Sequence, residues 1–301
     1  MKIIFGLSRV KKFQKPVMAL GVFDGVHRGH RVILKSAAEK ARRIKGTSVV
    51  MTFWPHPQKE ESLYSLRHRL KLISEFGIDI CIVVGFNKRF SRITAAEFVR
   101  DILAKRIGAK FIFIGENFTF GFQGKGNASV FKAFAKEFNF KLKIFPAVRI
   151  NGSIISSTGI RRLIKAGKLA QAQKLLTRPV SILGTVIKGS SLARKLGIPT
   201  ANINPHHEVL PPPGVYAVRF IYRQKQFFGV CSIGNKPTLG RNPIQYIEVH
   251  IFKFKKNIYG AYLIIEFMKF LRKQKKFASL QSLVKQIQKD IARAKALFSL
   301  P

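Results

Sequence analysis

The chain is poor in acid. Asp and Glu total 14 of its 301 residues, against 55 Lys and Arg, for a formal net charge of +41. Such an excess invites nucleic acid, anionic membrane surfaces or phosphorylated ligands, without choosing among them. Cysteine is scarce as well. Cys81 and Cys231 both lie in apolar, strand-like runs. Two such residues with no zinc spacing exclude a disulfide-stapled miniprotein and predict buried thiols in a reducing compartment. No apolar run approaches the roughly 20 residues of a membrane-spanning helix. The opening M-K-I-I-F-G-L-S-R-V-K-K-F lacks the apolar region and cleavage site of a signal peptide. A cytoplasmic protein is therefore expected. Internal repeats and low-complexity segments are missing too. Apolar residues, by contrast, make up 47%, ample for a packed core, which excludes a disordered or collagen-like chain. The length is a prior for two domains.

The first half alternates between two periods. Val17–Gly21, Ser48–Phe53, Ile80–Val84 and Phe111–Ile114 are short apolar runs of buried-strand type. From His30 to Ile44 apolar residues recur at helical spacing (Ile33, Leu34, Ala37, Ala38, Ala41, Ile44). Thr94–Ile107 reads as a helix with Thr94 as N-cap and Glu97 completing a capping box. This alternation predicts an α/β domain with a parallel, Rossmann-like sheet and helices on both faces. Near Thr177–Pro179 the pattern changes. Leu183–Ile187, Val215–Tyr222, Phe227–Ile233, Tyr246–Phe252 and Tyr262–Phe267 read as strands parted by Gly, Pro and Asn turns, a barrel or sandwich signal. Leu280–Phe298 is again helical, with Leu280, Leu283, Val284, Ile287, Ile291, Ala294 and Leu297 on one face. A boundary at residue 178 divides the chain into domains 1–178 and 179–301.

The strongest local signal is G-V-F-D-G-V-H-R-G-H at 21–30, after a predicted strand and opening a predicted helix. Gly21, Gly25 and Gly29 permit tight turns and close backbone approach to a ligand. His27 and His30, three apart, face one side of a helical first turn. A helix N-terminus at the carboxyl end of a parallel strand suits phosphate, and two imidazoles there can stabilise charge on a transferring phosphorus. Ser156, Ser157 and Thr158 can cap a helix and bond phosphate oxygens, with Arg161 one turn further in as a bidentate fork. From those residues alone an ordinary capped helix is the favoured reading. G-E-N-F-T-F-G at 115–121 is a loop rich in glycine and aromatics. Either it meets a ligand or Phe118 and Phe120 simply anchor it in the core. His56, between two prolines, reads as a turn residue.

In G-I-P-T-A-N (197–202), Thr200 and Asn202 leave one face of an extended segment. Their oxygens can ligate magnesium between phosphates, although P-T-x-N is also good turn chemistry. In Q-Y-I-E-V-H-I, Tyr246, Glu248 and His250 alternate with Ile247, Val249 and Ile251.

These motifs, with T-F-W-P-H-P (52–57), L-P-P-P-G-V-Y (210–216) and F-L-R (270–272), stand in one order along the chain. The sequence thereby resembles the bacterial bifunctional riboflavin kinase/FMN adenylyltransferase family nearly end to end. The resemblance implies a nucleotidyltransferase domain followed by a β-barrel riboflavin kinase domain with a C-terminal helix. It implies phosphorylation of riboflavin to FMN by ATP, then adenylylation of FMN to FAD with release of pyrophosphate. By resemblance, Gly21, Phe23, Asp24, Gly25 and Gly29 bind ATP beside His27 and His30. Ser156, Ser157, Thr158 and Arg161 hold its triphosphate. Asn117, Phe118 and Phe120 meet flavin in the transferase, and Arg272 meets it in the kinase. Thr200 and Asn202 bind Mg2+, Glu248 is the general base, and Gly189 and Arg194 belong to a phosphate-covering loop. Small-molecule partners are implied. No specific nucleic-acid partner is expected, only weak, salt-sensitive binding, and no membrane. The sequence departs from the family at Asn87, Asn117, Thr119, Thr177, Ala193, Lys253 and Gln274, mostly by losing acid or glycine. Asn117 and Thr119 bear on one flavin site, Lys253 and Gln274 on the other. Loss of one activity is the alternative these raise; a basic nucleic-acid-binding protein is a more distant one.

Overall fold

The computed structural model describes residues 1–57, 61–189, 197–236 and 244–300. The chain folds into two compact units, Met1–Ser157 and Thr158–Pro301. The first unit holds β1 (Lys2–Phe5), β2 (Val17–Leu20), α1 (Arg28–Arg43), β3 (Ser48–Trp54), α2 (Leu66–Ser74) and β4 (Ile80–Gly85). There follow α3 (Ala95–Glu97), β5 (Phe111–Gly115), α4 (Ala128–Glu137), β6 (Lys141–Phe145) and the small hairpin β7 (Arg149–Ile150) and β8 (Ser153–Ile154). Strands β1 to β6 form one parallel sheet in the order β1-β4-β3-β2-β5-β6.

Central strands such as β2, buried at every position, read as continuous apolar runs because both sheet faces are covered. Helix α1 buries Ile33, Leu34, Ala37, Ala38 and Ala41, as its spacing predicts. Thr94 and Glu97 form the expected capping box. Beyond them the chain departs from the expected α-helix, for Phe98–Ile107 is π-helical. Its buried positions Phe98, Val99, Ile102, Leu103 and Ile107 still recur three to five residues apart, so they share the inner face even though the bonding is of the wider i→i+5 kind. From β2 the chain moves to β3 and β4 on one side, while β5 and β6 lie on the other. The loops after β2 and β5 thus flank the point where strand order reverses, the usual ligand crevice of such sheets.

In the second unit come α5 (Ser157–Lys165, whose first residue still belongs to the first unit) and α6 (Leu169–Leu176). Six antiparallel strands follow: β9 (Val180–Ile187), β10 (Ala201–Asn204), β11 (Gly214–Tyr222), β12 (Lys225–Lys236), β13 (Ile244–Ile251) and β14 (Tyr262–Arg272). They close into a barrel in the order β10-β13-β12-β11-β14-β9, with the β9–β10 pair completing the ring. Cys231, Ile233, Ile247 and Val249 are buried and share one face of the register. Both cysteines are buried and unbridged, as expected.

Helix α7 (Leu280–Leu297) lies on the barrel through Ala294 and Ile291, against Ala217, Val230 and Phe252. Its expected apolar face needs correction. Leu280 and Leu297 are exposed, whereas Asp290 is buried. The cause is Arg272 of β14, whose guanidinium forks onto the Asp290 carboxylate at 2.7 and 3.0 Å and draws that acidic position inward.

Candidate functional site

The loop after β2 is shaped by its backbone. Phe23, Gly25 and Val26 all have positive φ, a path tolerable for Gly25 and strained for the other two. Gly21 has no room for a side chain, since a Cβ there would meet the Phe23 ring at 3.1 Å. The path is held from beneath by a buried ion pair that no sequence pattern reveals. Asp24 accepts from the Leu63 and Tyr64 amides at 2.8 and 3.3 Å, and Arg69 Nη2 stands 3.6 Å from its Oδ1. Arg69, on α2, also donates through Nη1 to the carbonyls of Val22 (3.0 Å) and Phe53 (3.2 Å). Burial lowers the Arg69 pKa and Asp24 opposes that shift. Both side chains are shut away from solvent, so the Asp24 carboxylate fixes the loop from inside rather than facing its opening. The Asp24 carbonyl accepts from Ser157 Oγ at 2.8 Å.

Above this support sit the two histidines. His27 is the N-cap of α1, and its ring stacks on His30 with centroids 3.6 Å apart and planes at 22°. Phe23 meets His30 edge-on at 5.3 Å. At Gly29 a Cβ would lie 3.3 Å from the His27 ring, so glycine lets the stack close. The backbone amides of the helix first turn lie beside two imidazoles, an arrangement suited to a phosphate chain. The β3 strand ends nearby in a cis peptide between Trp54 and Pro55, just ahead of His56.

On the other side of the crevice is the loop after β5. Phe120 and Gly126 exchange backbone hydrogen bonds at 3.0 and 2.9 Å, which close it. Gly121, at φ +74°, lies so close to Ala95 that a Cβ would come within 2.6 Å of its nitrogen. Phe120 is buried against Phe131 (4.3 Å) and Phe98 (5.7 Å), while Phe118 is half-buried and Asn117 and Thr119 are exposed. The two phenylalanines therefore anchor the loop in the core, and Asn117 is the open position.

In the second unit, Thr158 and Arg161 lie on α5, with Arg161 buried; Ser156 directly precedes that helix and is exposed. One register row circles the barrel: Asn202 is opposite Glu248, Glu248 opposite Ser232, Ser232 opposite Val215, and Val215 opposite Arg272. Asn202 and Glu248 are thus cross-strand neighbours on one face, with Thr200 just ahead of β10. His250 Nδ1 lies 2.8 Å from the Pro199 carbonyl and so pins the segment that carries Thr200. Gly189 packs directly on Asn202, where a Cβ would fall 1.8 Å from Nδ2. Gln274 donates to Ser232 Oγ at 3.1 Å, beside the row. Arg272 stands three strand spacings from Glu248, about 14 Å along the barrel surface, with its fork engaged by Asp290. Arg194, and Ala193 beside it, lie outside the described residues. Among the described residues no group of three or more His, Cys, Asp or Glu is placed to hold a metal. Hard oxygen donors such as Thr200 Oγ and Asn202 Oδ1, beside a carboxylate, do fit a magnesium ion that keeps water and phosphate ligands.

A parallel sheet with a histidine pair at its reversal point, followed by a closed barrel with an Asn–Glu cross-strand pair, defines a nucleotidyltransferase joined to a kinase. The FAD synthetase family model matches residues 10–159, and the riboflavin kinase family model matches residues 176–298. A bifunctional riboflavin kinase/FMN adenylyltransferase of Buchnera aphidicola (subspecies Schizaphis graminum) is 36% identical over 311 residues, covering 100% of both chains. The enzyme of that name from Escherichia coli K12 is 34% identical, covering 100% of this chain and 99% of its own. A crystal structure of a Streptococcus pneumoniae protein named for macrolide efflux superposes with a TM-score of 0.83 at 29% identity, covering 96% of this chain and 97% of that one. Here, no described helix is long and apolar enough to cross a membrane. The chain belongs to the bifunctional riboflavin kinase/FMN adenylyltransferase family, and is a transferase with a nucleotidyltransferase module and a kinase module.

Proposed function

We propose that the chain converts riboflavin to FMN in a module spanning 179–301 and FMN to FAD in a module spanning 1–178, with ATP as co-substrate of both steps. The observation that carries this is that one chain assembles both reactive constellations, the His27–His30 stack and the Asn202–Glu248 pair. In the kinase, Glu248 takes the proton of the riboflavin 5′-hydroxyl as that oxygen attacks the ATP γ-phosphorus. Thr200 and Asn202 hold magnesium, which when bound neutralises charge on the phosphates. Gly189, packed on Asn202, borders those phosphates, Arg194 is their contact by family resemblance, and Arg272 orders the flavin end by holding Asp290. In the transferase an FMN phosphate oxygen attacks the ATP α-phosphorus and pyrophosphate leaves. Gly21, Gly25 and Gly29 let backbone approach the nucleotide, while His27 and His30 stabilise the charge that develops. Phe23 and Asp24 fix the loop; Ser156, Ser157, Thr158 and Arg161 receive the triphosphate. Asn117 meets the flavin over the floor made by Phe118 and Phe120. A reducing, cytoplasmic setting fits two free buried thiols.

Chromatography of flavins after incubation with riboflavin, ATP and magnesium tests the reading. FMN should appear first and FAD should follow. In Glu248→Gln, FMN formation should fall by about 10²–10⁴-fold, while added FMN still becomes FAD. Equal loss of both activities with the fold intact would refute this division of labour. Arrest of the wild-type chain at FMN would leave a kinase alone and place the lesion at Asn117 and Thr119.

A further inference from the structure

The end of the parallel sheet opposite the histidine pair carries an array of cations that neither reaction uses. Residues 14–16 lead into β2, Gly46 and Thr47 into β3, Lys110 into β5, and Phe140 into β6. These entries are stitched together: Thr47 donates to the Gln14 carbonyl, Lys110 to that of Pro16, and Lys141 to that of Lys110. Helix α1 runs back from the catalytic end, so its last turn (Lys40, Arg42, Arg43) arrives here as well. Lys40 Nζ and Lys141 Nζ lie 4.3 and 6.0 Å from the centroid of the same ring, Phe111. Lys143, further along β6, leans toward the carboxyl end with its Nζ 4.8 Å from the Phe145 centroid and stands outside the array. Among the described residues, none of Lys12, Lys15, Lys40, Lys110 and Lys141 makes an ion pair.

The acids on the neighbouring helices leave this array unneutralised. Glu39 pairs with Lys35, Glu97 caps its own helix, and Asp101 pairs with Arg100 and Lys105. Glu137, at the end of α4, is the remaining acid of α1, α3, α4 and the π-helical stretch. The carboxyl ends of α1 and of the π-helical stretch add about −0.5 each, far short of five lysines. The Lys40 pKa is lowered, first by burial and then by the charges of Arg43 and Lys141. In the middle of the array is a cavity of about 290 Å³ lined by Lys12, Lys15 and Lys110 together with Phe13 and Phe138.

We propose that this amino-end face of the N-terminal sheet is a sequence-nonspecific docking surface for single-stranded nucleic acid. Unpaired lysines match a phosphodiester chain, and a cavity with lysine and phenylalanine walls admits an unpaired base. A bilayer is the poorer match, since the one exposed large hydrophobic residue at this end of the described sheet is Met1, ahead of the marginal strand β1 and away from the strands that carry the lysines. The weak binding implied by the +41 charge is thereby given a place, remote from both constellations.

The test measures anisotropy of a short labelled oligouridylate with the full-length protein across a salt series. The triple variant Lys15→Glu, Lys110→Glu, Lys141→Glu is compared with Lys273→Glu, Lys275→Glu, Lys276→Glu, which changes net charge equally elsewhere. Loss of three phosphate contacts should weaken binding roughly 100-fold at 0.1 M salt and make the log–log salt slope shallower by about 2. The control triple should stay within about threefold of wild type. FAD formation from FMN should persist in both, which reports an intact first unit. If the Glu triple fails to fold, the same positions changed to Gln carry the comparison. Equal losses in the two variants would mean that binding follows net charge alone and would overturn the proposal. So would equally tight binding of a blunt duplex, or a triple-variant defect confined to phosphatidylserine vesicles.

Discussion

The Arg69–Asp24 pair offers the sharpest check on how the first unit is built. In Arg69→Met the volume is nearly kept, but the guanidinium, which bonds two carbonyls and faces Asp24 at 3.6 Å, is gone. Val22 O keeps the Thr52 hydroxyl at 2.7 Å, and Asp24 keeps two amide donors. The Asp24 carboxylate, however, stays buried and loses the guanidinium beside it. Breaking a buried pair from one side costs about 3–5 kcal/mol. With a urea slope of about 2 kcal/mol/M, the unfolding midpoint should drop by roughly 2 M. Trp54, the one tryptophan in the chain, lies with its ring 5.4 Å from the Arg69 guanidinium carbon, so its fluorescence follows this unit specifically. Asp24→Asn placed on top of Arg69→Met should recover part of the shift by removing the stranded charge. A Trp54 midpoint shift under about 0.5 M would refute the reasoning, because the loss of a buried guanidinium beside a buried carboxylate cannot be that cheap.

Other outcomes follow from single contacts. Gly189→Ala would drive a Cβ into Asn202, so phosphorylation of riboflavin should fall about 100-fold while FMN adenylylation holds; an unchanged kinase turnover would contradict the packing. Burial pushes the Cys81 thiol up to about 12 and the Cys231 thiol higher still. At pH 8 the thiolate of Cys81 is therefore about one part in 10⁴, and a disulfide reagent should label neither cysteine until denaturant is added. Rapid labelling of one thiol in the folded protein would show that one of the two strands is open.

Much of the architecture was legible in the sequence because its cause is local. Continuous apolar runs such as Val49–Phe53 mark strands covered on both faces, and the Ile247, Val249, Ile251 alternation marks one covered on a single face. The capping box at Thr94 is a short-range hydrogen-bond pattern and could be read directly. Features caused by distant partners were hidden. L-R-H-R-L-K reads as a basic helical surface, and nothing in it says that Arg69 turns inward, for its counter-ion lies 45 positions earlier at Asp24. Helix α7 misled for the same reason, since Asp290 is buried only because Arg272 comes to meet it. The π-helical stretch keeps its apolar residues near enough to helical spacing to pass for an α-helix. Strand β1 is an apolar run of only Ile3–Phe5 exposed at the margin of the sheet, and β6 breaks its apolar residues with Lys141 and Lys143, so neither margin stood out as the central strands did. At the site, the motifs located the loops, but the His27–His30 stack and the ring of residues around the barrel needed the register to become visible.

The barrel is closed, so its strands have no unpaired backbone edge to offer another chain. Among the described strands, free edges belong to the parallel sheet and to the two-residue strands of the β7–β8 hairpin, and the two margins of the sheet are unlike. At one, β6 sets Lys141 and Lys143 toward solvent, charges that repel an incoming strand. At the other, β1 exposes Ile3 and Phe5 along four residues. Self-assembly, where it occurs at high concentration or in high salt that screens the positive charge, has one margin open to it.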